Sequence, residues 1–227
     1  MGRVLIGAAL TAVVLWALGS VVLAAADWTS EFKLDKSDLA SMGRNPYFIL
    51  EPGYELSLKG GDAELTITVL KETKVVDGLE TRIVEERELE DGRLVEVSRN
   101  YFAISKTNNS VFYFGEDVDA YSSKGEVSHG GSWHAGENGA RAGLMMPGLP
   151  LLGARYYQEV APKVAMDRAE IVSLSESFTC PAGRFSGVLK TEETTPLEPG
   201  AKEHKLYAHG VGLLKDGEVS LVRYGRP

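Results

Sequence analysis

Cys180 is the only cysteine among 227 residues, so no disulfide can form within the chain. The fold must hold by its core alone, which a domain of this size can manage. Cys180 is left as a free thiol, a bridge to another chain, or a small buried residue on a strand. Histidine is also scarce, with four in the chain, and no spacing among them matches a zinc motif. No phosphate-binding loop or dinucleotide fingerprint occurs, so no cofactor is expected. Positive charge is in deficit: 24 Lys and Arg stand against 32 Asp and Glu, a formal net charge of −8. Such a surface repels phosphate backbones and gains nothing from anionic lipid headgroups, so nucleic acid is not an expected partner.

What is present first is an apolar N-terminus. Residues 1–26 read MGRVLIGAALTAVVLWALGSVVLAAA, with Arg3 as their only charge and Ala24-Ala25-Ala26 before Asp27. A positive start, a long apolar middle and an A-x-A end describe a secretory signal peptide. The segment is also long enough to anchor the chain in a membrane if it is not cleaved, since a span needs about 20 apolar residues. No second run of that length follows. Membrane contact is therefore expected only through residues 1–26. The expected location is outside the cytoplasm, periplasmic or extracellular.

The expected organisation is a signal peptide over 1–26, a lead-in over 27–44 and a single β domain over 45–227. Leu65, Ile67 and Val69 alternate with Glu64, Thr66 and Thr68, which places them on one face of a strand. Asp77-Gly78, Asp91-Gly92 and Asp216-Gly217 are hairpin signals between strand-like runs. Further runs lie at Val111–Phe114, Arg155–Val160, Ser186–Thr195 and His204–Ala208. No long helix pattern is present. The predicted class is all-β: an antiparallel meander forming a strongly curved sheet or barrel. The Gly-rich stretch His129–Gly153 is predicted as a long loop lying across it.

Several motifs in one order carry a resemblance. They are Asn45-Pro46-Tyr47-Phe48, Pro52-Gly53, Tyr113-Phe114-Gly115-Glu116-Asp117, Gly131-Ser132-Trp133, Met146-Pro147-Gly148, Gln158-Glu159, Pro196-Leu197-Glu198-Pro199-Gly200, and Tyr207-Ala208 with Gly210-Val211-Gly212. Together they resemble a group of uncharacterised exported bacterial β proteins. The resemblance implies a periplasmic or surface β protein and brings no reaction with it. His129, His134, Cys180 and His209 depart from that group's usual residues.

The functional candidates follow from side-chain chemistry. Phe112, Phe114, Trp133, Leu144, Met145, Met146 and Tyr156 are expected to line an apolar ligand cavity under the Gly-rich loop. His129, His134, Cys180 and His209, with Met145 and Met146 nearby, form an alternative soft-metal set suited to copper. Gly130-Gly131-Ser132-Trp133-His134 lacks the second glycine and the following helix of a nucleophile elbow. Adjacent carboxylates such as Glu85-Glu86 and Glu192-Glu193 cannot both face one cleft from a strand, and are expected to be ordinary strand charges. The expected function is non-enzymatic binding or carriage of an apolar small molecule in the cell envelope. A protein-interaction module that docks an envelope protein, and a copper-binding protein, are the alternatives.

Overall fold

A computed structural model describes residues 27–227. The apolar segment 1–26, and with it the expected signal peptide or anchor, lies outside the described residues. Apart from one 3-10 turn at Lys36–Asp38, the regular structure is all β. Three short strands come first: β1 (Leu39–Ala40), β2 (Gly43–Asn45) and β3 (Phe48–Leu50). A meander of β4 (Glu55–Gly60), β5 (Ala63–Val76), β6 (Leu79–Glu90), β7 (Arg93–Ser105) and β8 (Val111–Tyr121) follows. Then come β9 (Val127–Ser128), β10 (Trp133–His134), β11 (Arg141–Met146), β12 (Arg155–Tyr157) and β13 (Glu159–Val160). The chain ends in a second meander of β14 (Arg168–Cys180), β15 (Gly183–Thr194), β16 (Glu203–Ala208), β17 (Gly212–Asp216) and β18 (Val219–Gly225).

The turns form as their residues dictate. Asp77-Gly78 and Asp91-Gly92 have positive φ at both positions, the backbone that lets a two-residue turn follow the strands' twist. Several strands run to 12–14 residues, longer than the apolar alternation marks. Lys71–Lys74 extends β5 although it has no apolar face, because β6 supplies its backbone partners at Thr73 and Lys74.

The two meanders join through β18, which pairs antiparallel with β4 from Ser220↔Lys59 to Gly225↔Glu55. One sheet therefore runs β12-β14-β15-β16-β17-β18-β4-β5-β6-β7-β8-β11-β13. Its two ends are one stretch of chain. Residues 155–157 pair with β14 and residues 159–160 pair with β11, with Gln158 between them. The sheet thus curls into a nearly closed antiparallel barrel. The lead-in reinforces this seam: Thr29 exchanges backbone hydrogen bonds with Arg155 and Tyr157. Trp28 packs edge-on to Tyr157 and lies 4.3 Å beneath the Arg168 guanidinium.

The Gly-rich stretch departs from its expected form. Rather than crossing the barrel as a loop, it contributes β10 and β11 to the wall beside β8. Its glycines permit this. A Cβ on Gly143 would stand 2.1 Å from the Gln158 carbonyl oxygen, and one on Gly115 would stand 2.2 Å from that of Trp133. These are close backbone approaches that only glycine allows. The end of the stretch is irregular, and there Leu149, Leu151 and Leu152 are exposed rather than packed. At the opposite end of the lead-in, fully buried Asn45 donates to the carbonyls of Asn109 (2.9 Å) and Pro147 (3.0 Å) and accepts from the Tyr47 amide. It ties β2 to two distant turns.

The seam's tightness has a measurable consequence. Gly143→Ala should cost more than about 2 kcal/mol, lowering the melting temperature by roughly 4 °C or more. An unchanged melt would show that β11 and β13 do not meet as closely as the structure has them.

Candidate functional site

Strand alternation sends every second side chain inward. Along β7 the inward positions are Glu96, Ser98, Asn100 and Phe102; along β6 they include Glu86 and Glu88. Glu85, between them, faces outward to Arg99 (3.3 Å) and Arg87 (3.6 Å). The same split separates the other acidic pair. Glu192 faces out to Lys202 at 2.9 Å and His204 at 3.4 Å, while Glu193 faces in. So each pair does divide between faces, but Glu86 and Glu193 are not ordinary strand charges. They line the barrel's interior.

That interior is a cavity of about 450 Å³. Tyr113 and Glu116 reach it from β8, Met145 from β11, Gln158 and Glu159 from the seam, and Lys205 from β16. Glu88, Asp167, Leu197 and Glu198 mark its exposed end. A second, apolar space of about 80 Å³ is walled by Tyr54, Leu56, Ile67, Val69, Val84 and Leu213. Glu86, Met145 and Lys205 border both spaces. The lumen is therefore apolar at one end and acidic at the other.

Charge in the acidic end is one-sided. Eight carboxyl side chains line it, and Lys205 is the one base among them. Lys205 Nζ lies 3.0 Å from Asp216 and 3.4 Å from Glu193. Burial alone would lower the Lys205 ammonium, but Glu193 and Asp216 outweigh it and hold it well above the usual lysine range. Glu193 is further fixed by donors from Thr191 (3.0 Å), Gln158 (3.4 Å) and Tyr207 (3.5 Å). Burial pushes Glu86 up to about 7, with Lys205 only partly offsetting it. Burial also pushes Glu116 up to about 7, partly offset by the polar groups of neighbouring Tyr113 and Trp133. Glu159, buried and beside Glu116, is raised well above the carboxylate range. Burial lifts Glu88, Glu96 and Asp167 as well. A desolvated carboxyl group keeps its proton when no cation accompanies it.

Among the described residues, two buried polar atoms near these acids have no hydrogen-bond partner: Trp133 Nε1 and Tyr156 Oη. Trp133 stands directly opposite Glu116 across β10 and β8. Tyr156 feels the charge of Glu193.

Of the residues expected to form an apolar cavity, Met145 borders both spaces of the lumen. Phe112, Phe114, Trp133, Met146 and Tyr156 are buried in the core, and Leu144 is half-buried against it. Phe114 also borders a separate surface cleft under the lead-in. The four soft-metal candidates do not converge. His129 contacts Asp119 at 2.9 Å, while His134 Nε2 contacts Asp117 at 2.9 Å on the outer face, where Lys74 (2.8 Å) and Tyr101 also bond Asp117. His209 packs edge-on to Tyr47, and half-buried Cys180 pairs with Gly183 at the end of β14. Among the described residues, no group of three or more His, Cys, Asp or Glu side chains is placed to hold a metal ion.

The carboxyl groups set a pH dependence. Each raised group binds its proton more tightly folded than unfolded. For Glu86 and Glu116 that stabilisation is complete below about pH 4.5 and is lost as pH rises through about 7. The lowered carboxylates, such as Asp117, Asp38 and Glu51, lose their contribution only below about pH 4. The melting temperature of ligand-free protein should therefore fall by several degrees from pH 5 to pH 8, and Glu86→Gln should reduce that fall. A flat or rising profile would contradict it. No family model, curated protein or solved structure matches this chain, so the site is interpreted from its geometry.

Proposed function

We propose that this chain is an exported, non-enzymatic binding protein that holds a small amphipathic molecule in the barrel lumen. The observation that carries this is the pairing of the two spaces. An apolar end and a polar end meet at Glu86, Met145 and Lys205, and the larger lies within the range of about 300–1,000 Å³ usual for ligand pockets. The ligand differs from the wholly apolar one expected from sequence, because the larger space is bounded mainly by polar side chains. Binding rather than catalysis is favoured by the lining. Among the described residues no histidine borders the larger space, and the Ser98 hydroxyl accepts from Asn100 at 3.2 Å. Export is favoured by the composition of residues 1–26.

A second reading has one observation of its own. Leu149, Leu151 and Leu152 are 77 %, 62 % and 68 % exposed on one irregular segment, as expected where a partner protein docks.

Titration with N-phenyl-1-naphthylamine, a neutral dye that brightens in apolar surroundings, tests the lumen directly. Wild type should show saturable one-site binding. Met145→Trp, which fills the junction of the two spaces, should weaken that binding at least tenfold while still melting cooperatively. Absence of binding, or equal binding by the variant, would overturn the lumen as the site and leave the leucine segment as the functional surface.

A further inference from the structure

We propose that the lumen selects an organic amine, its ammonium group held between Glu116 and Glu159 and its apolar body lying along Phe102 and Met145. This rests on the lumen being the binding site and adds the charge of its ligand. The acidic end divides into two groups. Lys205 serves one of them, ion-paired to Glu193 and Asp216. Glu116 and Glu159 form the other: both line the same space, the charges of Glu116 and Asp167 add to the burial that raises Glu159, and the one lysine of the lining pairs with Glu193 and Asp216 instead. A cation is what this second group lacks.

The orphaned indole points the same way. Trp133 is buried directly opposite Glu116 in the β8–β10 register, and its Nε1 has no hydrogen-bond partner among the described residues. A protonated Glu116 is a weak acceptor. An ammonium group beside Glu116 would leave it ionised, and the carboxylate could then accept from the ammonium and from Trp133 together. Ligand binding would thereby satisfy a buried donor that the empty barrel leaves unmet.

A metal ion fits less well than an amine. No three acidic or histidine side chains among the described residues converge as metal ligands. Phe102, Tyr113 and Met145 flank the same acids, and offer an ammonium group an apolar and aromatic wall. The route from Glu116 past Met145 leads to the apolar end at Leu56 and Val84, which suits an alkyl or aryl body. An anionic amphiphile would face eight carboxyl groups with one lysine already occupied.

Competition against bound N-phenyl-1-naphthylamine by octylamine, octanol and octanoate, all with the same chain, isolates the head group. Octylamine should displace the dye at a concentration at least tenfold below octanol, with octanoate the weakest. In Glu116→Gln/Glu159→Gln the amine-to-alcohol preference should shrink to less than twofold; should that variant not melt cooperatively, Glu116→Gln alone should reduce it. Equal competition by all three, a preference for octanoate, or an amine preference that survives the substitutions would overturn amine selectivity while leaving lumen binding intact. Failure of the dye to bind wild type would instead remove the lumen site and this inference together.

Discussion

The backbone pairing of residues 155–160 to two strands at once is the constraint on which the structure depends. Its first half hydrogen-bonds to β14 and its second half to β11, so one short stretch covers both edges of a long sheet. An open sheet of this size would leave two rows of unpaired donors and acceptors. The seam pairs part of each edge, at Arg168–Glu170 and at Arg141-Ala142, and encloses a lumen. The requirement for close approach explains Gly143 opposite Gln158, and the strapping of Trp28 and Thr29 across the same seam secures it from outside.

A closed barrel must fill its interior with side chains or leave space. Here one end narrows to the small apolar space walled by Leu56, Ile67, Val69 and Val84. The other is left open and lined with acids. Burying Glu86, Glu116 and Glu159 is unfavourable to the empty protein, and these groups are held protonated at pH values where free carboxyls ionise. Structures retain such groups where function requires them. An amphipathic amine would offset the cost by supplying the missing charge. Binding and stability are then linked: a ligand that occupies the folded lumen stabilises it in proportion to its affinity.

Much of the fold was legible in the sequence. The Asp-Gly turns and the Leu65-Ile67-Val69 alternation mark hairpins because turn and strand geometry are local properties. The division of Glu85 from Glu86 and of Glu192 from Glu193 followed from strand periodicity alone. What periodicity did not reveal was which face of β6 and β7 was inside. In Glu85-Glu86-Arg87-Glu88 both faces are charged, and such a pattern reads as surface. Its meaning emerges only when strands far apart in sequence close around it. The available signal was negative: a strand in the middle of a barrel with no apolar face implies a wet interior. The Gly-rich stretch misled for a related reason. Glycine marks turns in isolation, but Gly115 and Gly143 are there for strands that pass too closely for a side chain.

Whether the lumen receives an amine at its acidic end is tested most directly by an experimental structure determined in saturating octylamine. The account predicts the ammonium nitrogen within about 3 Å of Glu116 or Glu159, with the chain lying beside Met145. Water alone in the lumen, or octylamine bound only to the outer surface, would contradict it.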